Sequence, residues 1–146
     1  MFDLYKNDFK KYTEHPGRYG LILNDLRLIS IFDKGVKSRI IKELQLDEKL
    51  KTDLSVSTIY LCLDDADFEI PYHYDDIYKR ISCVLYFGEH FSGTVFLKDY
   101  MKKETIEPKE NRLVCFPSQD HLHCVLKGGG DTKRHTLQFH YLINTS

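Results

Sequence analysis

The chain lacks the features that mark membrane, secreted and nucleic-acid-binding proteins. It has no run of 18 or more apolar residues, and its first residues lack a basic segment followed by an apolar one, so neither a transmembrane helix nor a signal peptide is predicted. The 21 basic and 22 acidic side chains give a formal net charge of −1, which argues against binding to nucleic acid or to an anionic membrane. We therefore expect a soluble, cytoplasmic protein with neither of these partners.

The chain also lacks any Cys-x-x-Cys pair, any linker and any internal repeat. Each of its four cysteines falls within an apolar run, so buried free thiols are expected rather than disulfides or metal ligands. These are Cys62, Cys83, Cys115 and Cys124. A length of 146 residues suits one hydrophobic core. The sequence therefore predicts a single domain over residues 1–146, and it does not indicate an oligomeric state.

The first third of the chain, residues 1–56, has patterns of helices and one hairpin. Aromatic residues at helical spacing predict an amphipathic helix over 2–14, and Asp33 is placed to cap a second helix over 34–46. Between them, two apolar runs over 19–23 and 26–32 flank Asn24-Asp25, a dipeptide typical of tight hairpin loops. We expect this N-terminal part to pack against a sheet.

From residue 57 onward the sequence consists of short β-type runs with Gly, Pro and Asp between them. Strands are predicted at 57–63, 68–75, 80–87, 94–98, 112–116, 122–127 and 135–143. Helices followed by many short strands indicate a mainly β protein, either a jelly roll or a sandwich of antiparallel sheets. The jelly roll, a double-stranded β-helix as in cupins, is favoured over 57–143 because it brings ligands from distant strands to a common mouth.

The stretch 68–75 ends in an imidazole and a carboxylate two positions apart, His73 and Asp75. On an extended segment such residues point to the same face and can bind one metal ion. Two imidazoles and one carboxylate with open positions are the ligand set of oxygen-activating non-haem Fe(II) sites. Chance alone supplies about 0.7 His-x-Asp tripeptides in a chain of this composition, so the pair needs support from a third ligand.

Candidates for the third ligand and for an anion receptor follow later in the chain. His121 and His123 both lie where a loop enters an apolar strand, and His123 is preferred because it is nearer the apolar run. Arg134 and Thr136 share one face of the next predicted strand. A guanidinium and a hydroxyl projecting together suit a carboxylate, because the guanidinium can donate two parallel hydrogen bonds and the hydroxyl a third.

Taken together with the segments 80–87, 92–97 and 106–116, this spaced set resembles the Fe(II)/2-oxoglutarate-dependent dioxygenases, and most closely their prolyl 4-hydroxylase-like branch. The resemblance covers roughly residues 57–143. It implies that the catalytic iron ligands are His73, Asp75 and His123. It also implies that 2-oxoglutarate is bound by Arg134, Thr136 and Tyr86.

The function implied by this resemblance is that of an enzyme. Fe(II) would be the cofactor, 2-oxoglutarate and O2 the cosubstrates, and a C–H bond would be hydroxylated while 2-oxoglutarate is converted to succinate and CO2. A prolyl residue of a peptide or protein is the leading substrate, with a free amino acid or other small metabolite as the alternative. Tyr74 and Asp76 are candidates for the substrate rim.

Two further interpretations compete with a hydroxylase. The chain could be a non-catalytic cupin-like metal-binding protein in which His121 and His123 form the primary pair, although no Glu follows them within a few residues. It could also be a β-sandwich interaction module whose histidines are all structural. Formation of succinate from 2-oxoglutarate separates the first alternative from an oxygenase, and stoichiometric iron excludes the second.

Overall fold

A computed structural model describes residues 10–11, 17–76, 79–88, 93–98, 102–119, 121–126 and 133–144. Its helices are α1 (Leu26–Ile31), a π-helical turn (Phe32–Val36), α2 (Lys37–Glu43) and α3 (Leu50–Asp53). The strands are β1 (Lys10–Lys11), β2 (Arg18–Leu23), β3 (Leu54–Val56), β4 (Ile59–Asp64), β5 (Ile70–His73), β6 (Lys79–Tyr86), β7 (Thr94–Lys98), β8 (Lys102–Thr105), β9 (Leu113–Pro117), β10 (His123–Val125) and β11 (Arg134–Ile143).

Two antiparallel sheets make up most of the described chain. The larger has the strand order β1-β2-β4-β11-β6-β9, with β3 paired to the end of β11, and the smaller has the order β5-β10-β7-β8. Neighbouring strands are mostly distant in sequence, as expected when the chain crosses between two facing sheets. The predicted mainly β, jelly-roll architecture is confirmed.

Strand β11 separates the hydrophobic core from the space between the sheets. Side chains alternate between the two faces of a strand, and on one face Leu137, Phe139 and Tyr141 are almost fully buried in a core that includes residues of the helices. The other face carries the polar residues Arg134, Thr136, Gln138 and His140. One strand thus supplies both the packing that supports the helices and the polar wall that faces the smaller sheet.

The predicted hairpin at Asn24-Asp25 is wrong. Residues Leu26–Ile31 form α1, and the Asp25 carboxylate accepts hydrogen bonds from the backbone N–H groups of Arg27 at 2.8 Å and Leu28 at 3.2 Å. An aspartate in this position satisfies two of the N–H groups that a helix start leaves without partners. The same residue types favour tight turns and helix starts, and here packing of Leu28 and Ile29 against the core favours the helix.

The second predicted helix exists but begins differently. The chain stays helical from Leu26 through the π-helical turn to Glu43, so Asp33 lies inside the helical segment and does not cap it. Its carboxylate instead accepts a hydrogen bond from the Val56 backbone N–H at 3.2 Å and pairs with Lys37 at 3.4 Å. Asp33 therefore ties the helical segment to β3.

The predicted helix over 2–14 falls mostly outside the described residues, except that Lys10–Lys11 pairs with β2 as a short strand. The seven strands predicted from residue 57 onward all occur, with bounds within a few residues. Strands β3 and β8 were not predicted; all four residues of β8 are exposed, so it has no alternation of apolar and polar side chains. Within the described residues, none of the helices combines the length and apolarity needed to span a bilayer.

Candidate active site

A cavity of about 520 Å³ lies between the two sheets. The larger sheet contributes polar residues of β2, β4, β6 and β11, and the smaller sheet contributes residues of β5, β7 and β10. The cavity lining includes His73, Asp75 and His123 together with Arg134. The residues predicted from distant parts of the sequence therefore line one space, whose volume suits a small organic ligand.

His73, Asp75 and His123 form a compact cluster. Strand register makes His73 and His123 cross-strand partners on β5 and β10, and Asp75 follows His73 by two residues. The Asp75 Oδ1 atom lies 3.5 Å from His73 Nε2 and 3.6 Å from His123 Nε2. One ligand atom from each residue lies within 4.8 Å of the others, which is close enough for all three to bind a single metal ion.

Backbone contacts orient both imidazoles so that Nε2 faces the cluster. His73 Nδ1 lies 2.9 Å from the Pro71 carbonyl oxygen, and His123 Nδ1 lies 2.9 Å from the His121 carbonyl oxygen. When Nδ1–H donates to a carbonyl, the neutral ring presents the Nε2 lone pair on its opposite side. Metal-binding histidines are commonly oriented in this way.

The electrostatics of the cluster also suit a cation. Burial alone would raise the pKa of Asp75, but hydrogen bonds from His140, His73 and Ser82 outweigh it and hold that pKa well below its usual range. The hydrogen bond with Asp75 raises the pKa of His73, whereas burial lowers the pKa of His123. At neutral pH the cluster therefore offers an anionic carboxylate and a neutral His123, and a bound cation would displace any proton from His73.

Two residues that sequence reasoning missed hold the second oxygen of Asp75, and a third contacts one of them. Ser82 donates a hydrogen bond to Asp75 Oδ2, and its hydroxyl lies 2.7 Å from that of Ser118. His140 Nε2 lies 3.5 Å from the same Oδ2 atom. These contacts fix the rotation of the carboxylate and leave Oδ1 towards the two histidines. Ser82 and His140 are adjacent across β6 and β11, which is a long-range pairing with no local sequence signal.

His121 lies outside the cluster, so the geometry favours His123 of the two alternatives. The His121 Nδ1 atom is 3.1 Å from the Pro117 carbonyl oxygen, and its ring packs 5.9 Å from the rings of both Phe96 and Phe116. The same two phenylalanines pack on His123, with centroid distances of 6.0 and 4.8 Å. They form an apolar wall that limits water at one side of the cluster.

The residues expected to bind 2-oxoglutarate also lie close together, but they have protein partners. Thr136 is opposite Tyr86 across β11 and β6, and the Arg134 guanidinium lies 5.7 Å from the centre of the Tyr86 ring. The Tyr86 hydroxyl accepts a hydrogen bond from the Thr94 backbone N–H at 2.9 Å and lies 2.7 Å from the Thr94 hydroxyl. Both Tyr86 and Thr136 are fully buried, and of the three residues expected to bind 2-oxoglutarate only Arg134 lines the cavity.

Arg134 makes an ion pair that the sequence did not suggest. Its Nη1 atom donates to Asp64 Oδ2 at 3.1 Å, and Asp64 is fully buried. A guanidinium has five N–H donors, so the bond to Asp64 is compatible with further partners. Of the two residues expected at the substrate rim, Asp76 lines the cavity and pairs with Lys79 at 3.7 Å, while Tyr74 is 56% exposed.

No protein-family model and no curated protein sequence matches the chain. Among solved structures, it is similar to a prolyl 4-hydroxylase from Pseudomonas putida, with a TM-score of 0.71, 17% identity and coverage of 99% of this chain and 83% of that one. It is also similar to a 2OG-Fe(II) oxygenase family protein from Burkholderia pseudomallei, with a TM-score of 0.69, 15% identity and coverage of 88% and 68%.

A third similar structure is a prolyl hydroxylase from Trichoplax adhaerens in complex with a peptide fragment of the hypoxia inducible factor oxygen degradation domain. The TM-score is 0.69 and the identity 14%, with coverage of 97% of this chain and 74% of that one. The chain therefore has the fold of prolyl hydroxylases and 2-oxoglutarate oxygenases, as the resemblance in sequence implied. At such low identity the likeness shows the fold, and function must be argued from the cavity.

Proposed function

We propose that the protein is an Fe(II)- and 2-oxoglutarate-dependent oxygenase that hydroxylates a C–H bond, with a prolyl residue of a peptide or protein as the leading substrate. The observation that carries this proposal is the cluster of His73, Asp75 and His123 in the same cavity as Arg134. Metal ligands and a cation for the cosubstrate are the two requirements of this chemistry. The fold, shared with prolyl hydroxylases, makes the combination more specific than either part alone.

His73, Asp75 and His123 would hold Fe(II). Two neutral imidazoles and one carboxylate fit this ion and leave coordination positions open for a chelating keto acid and O2. When bound, the iron supplies the oxidising chemistry that couples decarboxylation of 2-oxoglutarate to C–H hydroxylation. The protein's contribution is to fix three ligand atoms, with Ser82 and His140 holding the Asp75 carboxylate, and to shield one side with Phe96 and Phe116.

Arg134 would bind the distal carboxylate of 2-oxoglutarate and so set the cosubstrate's orientation. The side chain is 4% exposed and lines the cavity, where a charge-assisted hydrogen bond is stronger than in water. Thr136 follows Arg134 by two residues on β11 and is paired with Tyr86, whose ring centre lies 5.7 Å from the guanidinium. Both residues would limit the positions that the guanidinium can take. This orientation contributes to the rate because it holds the reacting groups together before the chemical step.

A peptide substrate is supported by the fold neighbours and by exposed residues beside the metal ligands. The similar structure from Trichoplax adhaerens contains a peptide fragment. In this chain the two residues on either side of Asp75, Tyr74 and Asp76, are exposed, Tyr74 by 56%. Asp76 lines the cavity mouth beside Lys79. An exposed aromatic ring and a charged pair next to the metal ligands are suited to contact an extended chain.

The proposal is tested by turnover with mass analysis. The wild-type protein with Fe(II), O2 and 2-oxoglutarate should form succinate, and proline-containing peptides should be screened beside free amino acids for a mass gain of one oxygen atom. The variant His73→Ala should lose both activities. The matched control His121→Ala removes a neighbouring imidazole outside the cluster and should keep them.

Each alternative predicts a different outcome. A cupin-like metal-binding protein would retain metal but form no succinate with any substrate, and an interaction module would bind no stoichiometric iron. If only free amino acids gain an oxygen atom, the protein is still an oxygenase, but its substrate is a free amino acid and not a prolyl residue of a peptide. Equal loss of activity in His121→Ala and His73→Ala would contradict the proposed ligand set.

A further inference from the structure

Arg18, at the start of β2, lies at the same end of the cavity as Arg134. Strand register puts Asp64 directly opposite Arg18 on one side and opposite Arg134 on the other. The Arg18 Nε and Nη2 atoms donate to the two Asp64 oxygens at 2.7 and 3.0 Å, while Arg134 donates to Oδ2 at 3.1 Å. Arg18, Asp64 and Arg134 thus form a charge row across the adjacent strands β2, β4 and β11, with the carboxylate between the two cations.

All three side chains of this row are buried. Arg18 is 5% exposed, Asp64 is fully buried and Arg134 is 4% exposed, and both arginines line the cavity. Burial of charge is costly unless the charges are paired and hydrogen-bonded. Two guanidiniums and one carboxylate leave a net charge of +1 in the row, which favours an anion in the adjoining space. Cys62 adds no charge there, because burial raises its thiol pKa to about 11.

The two arginines use Asp64 differently. Arg18 approaches with two parallel hydrogen bonds, its guanidinium lies 4.6 Å from the centre of the Phe68 ring, and its Nη1 atom is 3.4 Å from Gln138 Oε1. These contacts hold Arg18 in one position from three sides. Arg134 contacts Asp64 through Nη1. Without Arg18, Asp64 and Arg134 would form a neutral pair, and the guanidinium would turn towards the carboxylate beside it.

We propose that Arg18 is a positioning residue for the anion site: it neutralises Asp64, so that the charge of Arg134 is directed to the distal carboxylate of the cosubstrate. The inference rests on the proposed function, and it extends that function by assigning a role to the N-terminal strand β2. Arg18 acts through Asp64 and Arg134 and does not contact the reacting atoms.

The competing explanation is that the pair only attaches β2 to the sheet. The two explanations predict different effects when the net charge of the row is changed. The net charge of the row is +1 in the wild type, zero in Arg18→Met, and +1 again in the double variant Arg18→Met with Asp64→Asn. The hydrogen bonds that attach β2 to the sheet through Arg18 are lost in both variants. The net charge of +1 is restored only in the double variant.

The test is calorimetric titration of 2-oxoglutarate into anaerobic protein loaded with Mn(II), which takes the place of Fe(II) without oxidation. Arg18→Met should raise the dissociation constant for 2-oxoglutarate by about tenfold. Arg18→Lys, which keeps the charge but not the parallel bonds, should stay within about threefold of wild type. The double variant should regain most of the lost affinity. Ile22→Ala, on the same face of β2 but half exposed, should bind 2-oxoglutarate as the wild type does.

The affinity for Mn(II) itself, measured without 2-oxoglutarate, should be the same in all these variants. The inference is overturned if Arg18→Met binds 2-oxoglutarate as tightly as wild type, or if the double variant binds as weakly as Arg18→Met while still binding Mn(II) normally. A wild-type protein that binds Mn(II) but not 2-oxoglutarate would instead contradict the proposed function.

Discussion

Replacing Ser82 by alanine tests how the protein prepares Asp75 for a metal ion. The Ser82 hydroxyl, 2% exposed, is hydrogen-bonded to Asp75 Oδ2 and lies 2.7 Å from the Ser118 hydroxyl. In the Ser82→Ala variant, His140 at 3.5 Å remains near that oxygen. The carboxylate then loses its hydrogen bond from a hydroxyl and can rotate away from the two histidines.

The expected loss can be estimated from the number of contacts removed. Loss of one outer hydrogen bond to a metal ligand commonly lowers metal affinity by about 10- to 100-fold, which corresponds to about 1.4–2.7 kcal/mol. Because Ser118 touches Ser82 and not Asp75, Ser118→Ala should lower the affinity much less, by about threefold or less. Ser82→Ala should therefore lower the metal affinity more than Ser118→Ala, because of these two serines only Ser82 contacts Asp75 directly.

Calorimetric titration of Mn(II) into the metal-free protein measures both variants. Circular dichroism should show unchanged secondary structure, so that a change in affinity is not a change in folding. Mn(II) affinity in Ser82→Ala equal to that of wild type would refute the reasoning, as would an equal loss in Ser118→Ala. Either result would mean that the Asp75 carboxylate is held by other contacts.

Other predictions concern the stability of the fold. Tyr141→Phe removes a buried hydrogen bond to the Phe32 carbonyl oxygen, 2.6 Å long, and should cost about 1–3 kcal/mol, lowering the melting temperature by roughly 2–4 °C for each kcal/mol. Gly93→Ala should destabilise by more than about 1 kcal/mol, because a Cβ there would lie 1.8 Å from the Ile106 carbonyl oxygen. Gly35→Ala, where a Cβ meets nothing within 4 Å, should stabilise by up to about 1 kcal/mol. Urea unfolding measures all three, and stabilisation by Gly93→Ala or an unchanged Tyr141→Phe would contradict these packing arguments.

Strands of the jelly roll could be predicted because their side chains carry a local pattern. The run 94–98 matches β7 in full, and β11 alternates between polar and apolar residues over 136–141. The position of His73 and Asp75 on one extended segment could also be predicted, because it depends only on their spacing in the sequence. Their meeting with His123 depends on pairing of β5 with β10, which came from the family resemblance and could not be read from local spacing.

The errors arose where local signals were shared by two structures. Asn24-Asp25 between two apolar runs favours a hairpin, but Asp25 is equally able to begin a helix, and the decision depends on packing against a distant core. The ion pairs around Asp64 join residues 46 and 70 positions apart. No periodicity connects such residues, so neither Arg18 nor the charge row around Asp64 could be found before the strand register was known.

The most direct test of the central claim is optical. Anaerobic addition of Fe(II) and then 2-oxoglutarate to the wild-type protein should produce a visible charge-transfer band, because the proposed function requires the keto acid to chelate a metal held by His73, Asp75 and His123. His123→Ala should give no band, and His121→Ala should give one equal to that of wild type. No band from the wild-type protein, or an undiminished band from His123→Ala, would contradict the account.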